Sequence, residues 1–362
     1  MSSRFHRLQV TAVIAETADA WSLVLTVPAS LADAFSYRSG QFLTFRVAHP
    51  QGTLQRCYSM SSSPGIDTGI RVTVKRVTDG RVSNWLCDTV KAGDWLEVMV
   101  PGGRFVCDDF NQDLLLCAGG SGITPVFSLL QTALEQGQGR IRLIYANRDE
   151  ASVIFKDKLR TLAADYPDRL EIIHLLDSLN GIPSRTLLSS LAREFVEKTS
   201  KNSSSKKDRL VNAQAFICGP GPFMDAMEAV LTHLGMGSTD IFIERFVSPP
   251  DAQSAAGQRK SDEPKLPESS PKAALARVEL DGQRHEFAWD SADTLLEAAE
   301  KVGVELPWSC RAGLCASCQC EVTSGKVALR SNEVLDERDL ARGLTLSCQA
   351  LPLSDTVDIR YT

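Results

Sequence analysis

The chain reads as three folded modules in series: an N-terminal antiparallel β-barrel, an α/β module on a parallel sheet, and a small C-terminal α+β module. Three observations predict this. Before residue 110, short apolar or alternating runs are broken by Gly, Pro and Asp, the pattern of an all-β unit. From Asp113 onward a strand, a glycine turn, a helix and a second strand follow one another, which calls for a parallel sheet. Residues 247–273 are rich in Pro, Ser, Ala and charge and lack apolar periodicity, so they read as a flexible linker. The expected boundaries are 1–110, 111–246, the linker at 247–273, and 274–362.

Length and composition narrow the class. With 362 residues the chain exceeds one ordinary core, and 43% hydrophobic with 23% charged residues describes a soluble globular protein. The start "MSSRFHRLQV" has no apolar run behind its basic residues, and no window approaches the ~18 apolar residues of a membrane span. A cytoplasmic monomer is the expectation. Ten cysteines in a reducing compartment do not make a disulfide framework. The net charge of −6 and the lack of a basic stripe exclude a nucleic-acid binder. Residues 274–362 hold nine Lys/Arg against fifteen Asp/Glu, so the other 273 residues are neutral, with 30 of each sign.

In the first module the runs "LQVTAVIAET", "AWSLVLTVP", "GQFLTFRV", "IRVTVKRV" and "DWLEVMVP" are the strands. Between them "RCYSMSS" (56–62) has the form R-x-Y-S-x-x-S. Arg56 can meet a flavin phosphate, Tyr58 can pack on an isoalloxazine ring, and the Ser59 hydroxyl can reach flavin N5 or O4; Ser62 closes the pattern. A surface strand with a serine-rich turn is the plain alternative. "VTVKR" (72–76) adds Val74 and Lys75, and "DGRVSNWL" (79–86) adds Gly80, Val82 and Ser83, where a glycine turn and a helix start offer amides and a hydroxyl to a pyrophosphate. A pyrophosphate site favours FAD over FMN. Trp85 is expected in the core.

In the second module "CAGGSGITPVFSLL" (117–130) is not a G-x-G-x-x-G fingerprint but uses the same physics: a tight turn, close backbone approach, then a helix. Gly119, Gly120, Ser121, Gly122 and Thr124 are its candidates. "FICGPGPFMDAMEAVL" (216–231) repeats the turn with Gly219 and Pro220. Two such turns on neighbouring strands would face one crevice, with Cys218 near a nicotinamide. The plain reading of Cys218 is a packed residue, as for Cys57, Cys87, Cys107 and Cys117. "YANRDE" places Asn147 and Arg148 at the end of the second strand. Arg148 can hold a 2′-phosphate, but Asp149 and Glu150 would repel one, so NADH is expected over NADPH. The tract "KTSKNSSSKKDR" (198–209) reads as a surface loop insertion.

In the third module "ARVELDGQRHEFAW" is a hairpin turning at Asp281-Gly282, and "ADTLLEAAEKVGV" is a short helix. Then "PWSCRAGLCASCQC" (307–320) places Cys310, Cys315 and Cys318 as C-x4-C-x2-C, with Cys348 in "LSCQA" as a distant fourth. This is the plant-type spacing for a [2Fe-2S] cluster. The small residues Ala312, Gly313, Ala316 and Ser317 let the backbone close on the sulfurs. Zinc would favour two C-x2-C knuckles, and only Cys315 and Cys318 form one. Cys320 is expected to be a buried free thiol.

Together "RCYS", "GGSGITP", "CGPGPFM" and C-x4-C-x2-C…C, in this order, resemble the ferredoxin–NADP⁺ reductase superfamily fused to a C-terminal plant-type ferredoxin, a β-grasp domain. The likeness covers nearly the whole chain except the two polar tracts. It implies that Arg56, Tyr58, Ser59, Lys75, Gly80 and Ser83 hold FAD, and that Gly120, Gly122, Thr124 and Cys218 face the nicotinamide. Glu244 and Phe246 of "IERF" would close near the flavin, with Ser59, Cys218 and Glu244 as the catalytic group. "VKRVTDGRVSNWLCD", "YANRDEASVIF" and "FICGPGPFM" are similar to reductase components of 3-ketosteroid 9α-hydroxylase, a Rieske oxygenase, and "LSCQALPLSD" to the phenylacetyl-CoA epoxidase reductase. The implied activity is electron transfer from NADH through FAD and the cluster to a terminal oxygenase, a Rieske protein first, a di-iron oxygenase or a hybrid-cluster protein as alternatives. The linker would let the cluster module move, and Glu333, Asp336, Glu337 and Asp339 would form an acidic docking face.

Overall fold

The computed structural model describes residues 4–49, 52–201, 213–246, 271–335 and 337–361. The chain divides into two compact units, Met1–Phe246 and Val247–Thr362. Among the described residues no helix is long and apolar enough to cross a membrane.

The first unit opens with six antiparallel strands: β1 (His6–Thr17), β2 (Ala20–Thr26), β3 (Phe42–His49), β4 (Gly52–Ser59), β5 (Ile70–Lys75) and β6 (Trp95–Val98). Their order is β4-β3-β6-β1-β2-β5, and the bridge Met60↔Val72 brings the end of β4 back to β5, closing the barrel. Closure removes the exposed edges that an open sheet would carry. Alternate inward residues such as Leu8, Val10, Leu23, Leu25, Leu43, Phe45, Val72 and Val74 fill the core. Helix α1 (Arg81–Thr89) covers one end through Val82 and Leu86, with Trp85 packed beside them as expected.

A parallel sheet follows: β7 (Asp113–Gly119), α2 (Ile123–Gln136), β8 (Ile141–Asn147), α3 (Lys156–Asp165), β9 (Leu170–Leu176), α4 (Asp177–Asn180), α5 (Arg185–Lys201), β10 (Ala213–Cys218), α6 (Gly221–His233) and β11 (Ile241–Glu244). The strand order β11-β10-β7-β8-β9 reverses direction between β7 and β10, the switch point where ligands bind beyond strand ends. Leu114, Leu116 and Ala118 face α2 and α3, while Leu115 and Cys117 face α5 and α6. Burial on both faces explains the unbroken apolar runs.

The barrel docks on α2 through buried polar and aromatic contacts. The Ser128 hydroxyl donates to the Ser62 carbonyl (2.6 Å), the Ser63 hydroxyl to the Ser128 carbonyl (2.9 Å), and Ser39 pairs with Thr132. Phe105 meets Phe216 edge-on at 5.3 Å. These contacts set where the barrel's strand ends lie relative to the parallel sheet.

The second unit has β12 (Ala273–Leu280), β13 (Gln283–Asp290), α7 (Leu295–Lys301), β14 (Gln319–Ser324), β15 (Val327–Leu329), α8 (Glu337–Ala341), β16 (Leu344–Leu346), β17 (Ala350–Pro352) and β18 (Thr356–Arg360). Its main sheet runs β13-β12-β18-β14-β16, parallel only between β12 and β18, and β15 pairs with β17. The hairpin turns as expected, with Asp281 at φ +50° and Gly282 at φ +74° between paired Leu280 and Gln283. Trp289, Leu295, Leu296 and Ala299 form its core with the ligand-bearing segments.

Three expectations change. Helix α5 runs through Lys201, so residues 198–201 are helical and not loop; the rest of that tract, to 209, lies outside the described residues. Strand β12 begins at Ala273, one residue inside the expected linker, of which 247–270 also lie outside the described residues. In the acidic stretch Asp339 is only 4% exposed and cannot face a partner, while Glu333 and Glu337 are exposed; Asp336 is not among the described residues.

Helix α7 starts with a capping box in which Thr294 accepts from the Glu297 amide at 3.2 Å and Glu297 accepts from the Thr294 amide at 2.8 Å. Thr294→Ala removes half of it. The expected loss is about 1 kcal/mol from the second unit, measured by denaturant melts that follow cluster absorbance separately from flavin fluorescence.

Candidate functional site

The nucleotide crevice is made by backbone contact. Gly119 ends β7 and Gly219 follows β10, and these neighbouring strands pair Cys218 with Ala118. A Cβ on Gly122 would lie 2.1 Å from the Cys218 carbonyl oxygen, one on Gly119 2.5 Å from Pro220 Cδ, and one on Gly219 2.9 Å from Gly119 Cα. Only glycine allows the two turns to touch. Gly120 takes φ +52°, and Tyr145 pins it by donating its hydroxyl to the Gly120 carbonyl at 3.1 Å. Thr124, 2% exposed, donates to the Ser121 carbonyl at 3.1 Å, so its hydroxyl shapes the turn. Pro220 caps α6, its carbonyl accepting from the Phe223 and Met224 amides at 3.0 Å each.

Beside this crevice the strand ends carry charge and an unpaired amide. Asn147, at the end of β8, is 5% exposed, and both carboxamide atoms are buried without a protein partner at hydrogen-bond geometry. Such an orphan is costly unless a ligand completes it. Lys75 Nζ lies 3.5 Å from where a Gly120 Cβ would stand. Burial lowers the Lys75 pKa and the Arg148 charge lowers it further, with Asp19 and Asp149 opposing. Arg148 pairs with Asp19 at 3.2 Å. Asp149 accepts from the Ser152 amide at 2.9 Å as a helix cap, and Glu150 pairs with Lys156 at 2.7 Å.

Ser59, Cys218 and Glu244 come together. Parallel register sets Cys218 beside Glu244, and the Ser59 hydroxyl, from the barrel, donates to Glu244 Oε2 at 2.8 Å. Cys218 is fully buried. Burial lifts the Glu244 carboxyl up to about 8, with the Ser59 hydrogen bond opposing and Cys57 adding. Burial thus favours the protonated carboxyl and moves its titration toward neutral pH. Phe246, two residues on, is 44% exposed at the same strand end.

On the barrel, Tyr58 packs edge-on against Phe45 at 5.5 Å, and burial raises its phenol pKa. Arg56 is half-buried; burial lowers its pKa and the neighbouring Arg81 lowers it further. Two guanidinium groups that sense each other's charge suit a diphosphate. The sequence reading passed over Arg81, although its place just after Gly80, at the start of α1, was a usable signal. Tyr145 and Asp19 were also missed, and an apolar strand and a turn advertise neither. The Ser83 hydroxyl sits in the Gly80 turn, 2.3 Å from where a Gly80 Cβ would stand. Ser62 is fully buried and committed to the barrel, bonded to Tyr37 at 2.8 Å and accepting from the Arg71 amide at 2.9 Å. The side chains of Val74 and Val82 are likewise buried, and the Val74 carbonyl accepts from the Cys87 thiol.

The four predicted cluster thiols converge in the second unit. The amides of Ala312 and Leu314 donate to Cys310 Sγ at 3.4 Å each, and the sulfurs of Cys318 and Cys348 are 3.3 Å apart. The Ser347 amide donates to the Cys318 carbonyl at 3.1 Å, tying the fourth ligand's strand to the loop. Neighbouring Cys315 and Cys348, and then the two amides, pull the Cys310 pKa well below the usual thiol range against the effect of burial. Arg311 (φ +52°), Gly313 (φ +76°) and Ala316 (φ +56°) wrap the loop, and a Cβ on Gly313 would meet the Ser331 carbonyl at 2.5 Å. Soft thiolates ringed by amides fit an iron–sulfur group. Cys320 is buried and free, as expected.

Gly122→Ala forces the two turns apart, and overpacking of this kind costs about 1–3 kcal/mol. Loss of pyridine-nucleotide binding with flavin retained is the expected result, read by NADH titration against bound-flavin fluorescence. Glu244 gives a pH signature. The folded state holds its proton more tightly than the unfolded chain does. Its contribution to stability is full below the unfolded carboxylate pKa and disappears as pH climbs through about 8. The melting temperature should therefore fall less between pH 5 and pH 9 in Glu244→Gln than in the parent; equal falls would show that Glu244 does not titrate in this window.

Comparison with known proteins agrees with the geometry. Residues 7–107 match the oxidoreductase FAD-binding domain, residues 116–229 the oxidoreductase NAD-binding domain, and residues 278–353 the 2Fe-2S iron-sulfur cluster binding domain. The chain is 44% identical to the ferredoxin reductase component of 3-ketosteroid-9-alpha-monooxygenase from Mycolicibacterium smegmatis, over 100% of this chain and 98% of that one. It is 35% identical to a 1,2-phenylacetyl-CoA epoxidase subunit from Escherichia coli, over 99% and 98%. Phthalate dioxygenase reductase shares the fold at a TM-score of 0.58 and 23% identity, over 99% of this chain and 98% of that one. The cofactor set is thus FAD, a [2Fe-2S] cluster and a pyridine nucleotide. The chain belongs to the NAD(P)H-dependent flavin reductases that carry a C-terminal [2Fe-2S] ferredoxin domain, the family of the 3-ketosteroid-9-alpha-monooxygenase ferredoxin reductase component.

Proposed function

We propose that this protein is the NADH-dependent reductase of a Rieske-type oxygenase, one that hydroxylates a 3-ketosteroid. The observation that carries the partner is the 44% identity, end to end, with a ferredoxin reductase component of 3-ketosteroid-9-alpha-monooxygenase. When bound, FAD accepts two electrons as hydride and the cluster passes them on singly.

The chain's own residues position and tune those groups. Arg56 and Arg81 would hold the FAD diphosphate at the Gly80–Ser83 turn, and Tyr58 would pack on the ring. Ser59 would hydrogen-bond near flavin N5 with Glu244 behind it, so the Ser59–Glu244 bond at 2.8 Å can hold or pass a proton there. Cys218, buried between the turns, shapes the nicotinamide site without ionising, since burial raises its pKa. Gly119, Gly120, Ser121, Gly122, Gly219 and Pro220 would cradle the dinucleotide diphosphate, with Lys75 alongside. Cys310, Cys315, Cys318 and Cys348 would ligate the cluster.

Preference for NADH follows from Arg148, whose charge is already balanced by Asp19 at 3.2 Å. A 2′-phosphate would have to break that pair with Asp149 close by. Glu333 and Glu337 remain as exposed carboxylates for a basic partner, so coupling should weaken as salt rises.

Reconstitution decides the proposal. Purified protein with a 3-ketosteroid Rieske oxygenase should couple NADH oxidation to hydroxylated product, with kcat/KM higher for NADH than for NADPH. Cys315→Ser should leave flavin reduction by NADH intact and abolish product formation. Productive coupling to a di-iron oxygenase or a hybrid-cluster protein, and none to the Rieske protein, would overturn the partner assignment.

A further inference from the structure

Gln349 follows the fourth cluster thiol and is 6% exposed. Its main chain is pinned on both sides: the Gln349 amide donates to the Leu346 carbonyl at 2.8 Å, and its carbonyl accepts from the Arg330 amide at 3.0 Å. From that base the side chain crosses to the cysteine loop. Nε2 lies 2.8 Å from the Arg311 carbonyl and 3.5 Å from Cys348 Sγ. One amide nitrogen carries two hydrogens, enough for both acceptors. The Gln349 stem packs on Gly313, with Cγ 3.2 Å from where a Cβ would stand.

The Arg311 end of this bridge meets a strained site. Arg311 sits at φ +52°, a left-handed backbone that a side-chain-bearing residue keeps only when its surroundings hold it. The bond to the Arg311 carbonyl is such a restraint. The other end meets a ligand sulfur. Reduction adds one electron and so makes the ligand sulfurs more negative; an N–H donor then favours the reduced state more than the oxidised one.

We propose that Gln349 is a positioning residue for the iron–sulfur centre: its carboxamide clamps the Cys310–Cys318 loop to the segment that carries Cys348 and, by donating to the Cys348 sulfur, raises the cluster's reduction potential. No bond forms or breaks and no proton moves. The role rests on the reading that the four thiols hold a [2Fe-2S] cluster, and it adds a residue outside the ligand set.

Gln349→Met in the full chain keeps the stem and removes both N–H donors. In half-reduced protein, with the flavin as internal reference, the variant should hold the cluster reduced at least tenfold less than the parent at equilibrium, about 59 mV for one electron. Its cluster should also be lost severalfold faster to a chelator. Adding Arg311→Gly, which relieves the strained φ, should restore the chelator half-life and leave the potential low. Restoration of the potential by Arg311→Gly would show that sulfur donation is not the cause. A Gln349→Met protein that keeps the parent's melting temperature but accumulates without cluster would support the clamp. An unchanged potential together with an unchanged chelator half-life would overturn the inference. Failure of the cluster reading itself would look different: the parent would show no reduced-state EPR signal.

Discussion

The functional regions depend on one constraint, that backbone must come closer to its neighbours than a Cβ allows. In the first unit the turns after β7 and β10 touch main chain to main chain, and Gly122 would place a Cβ 2.1 Å from the Cys218 carbonyl. In the second unit Gly313 stands against the Ser331 carbonyl, where a Cβ would come within 2.5 Å. Each close approach would be lost to the smallest side chain, and in the second unit it goes with a loop whose Ala312 and Leu314 amides meet the Cys310 sulfur. The glycines therefore do more than permit turns; they create the binding surfaces.

Electrostatics then sort the surfaces by task. Burial lowers the pKa values of Arg56 and Lys75, and a neighbouring cation, Arg81 for the first and Arg148 for the second, lowers each further. At the end of β11, burial raises the Glu244 pKa beside the fully buried Cys218. In the second unit the balance differs again: neighbouring thiols, and then amides, pull the Cys310 pKa down against burial.

The division of the chain matches this separation of tasks. Met1–Phe246 holds the stretches that match the FAD-binding and NAD-binding domains, and Val247–Thr362 holds the cluster loop and its own core. Two-electron chemistry and one-electron export thus reside in units with independent hydrophobic cores. The acidic excess of residues 274–362, nine basic against fifteen acidic residues, gives the exporting unit a charge that the rest of the chain lacks.

Spacing and pattern were enough to read the three modules, the four thiols, the two glycine turns and the hairpin at Asp281-Gly282, because each depends on local backbone geometry or short-range ligand spacing. The same reading could not tell that Ser62 is consumed by Tyr37 and Arg71, that Asp339 is buried, or that Arg148 is balanced by Asp19. Resemblance put Ser59 and Glu244, 185 positions apart, in one group but not in a hydrogen bond, and nothing in the pattern sent Gln349 back to Arg311, 38 positions away. Those are meetings between segments distant in sequence, decided by how the barrel docks on α2 and how the fourth ligand's segment packs on its loop. Residue type and spacing determined which chemistry this protein carries; long-range packing alone decided which of those residues meet one another.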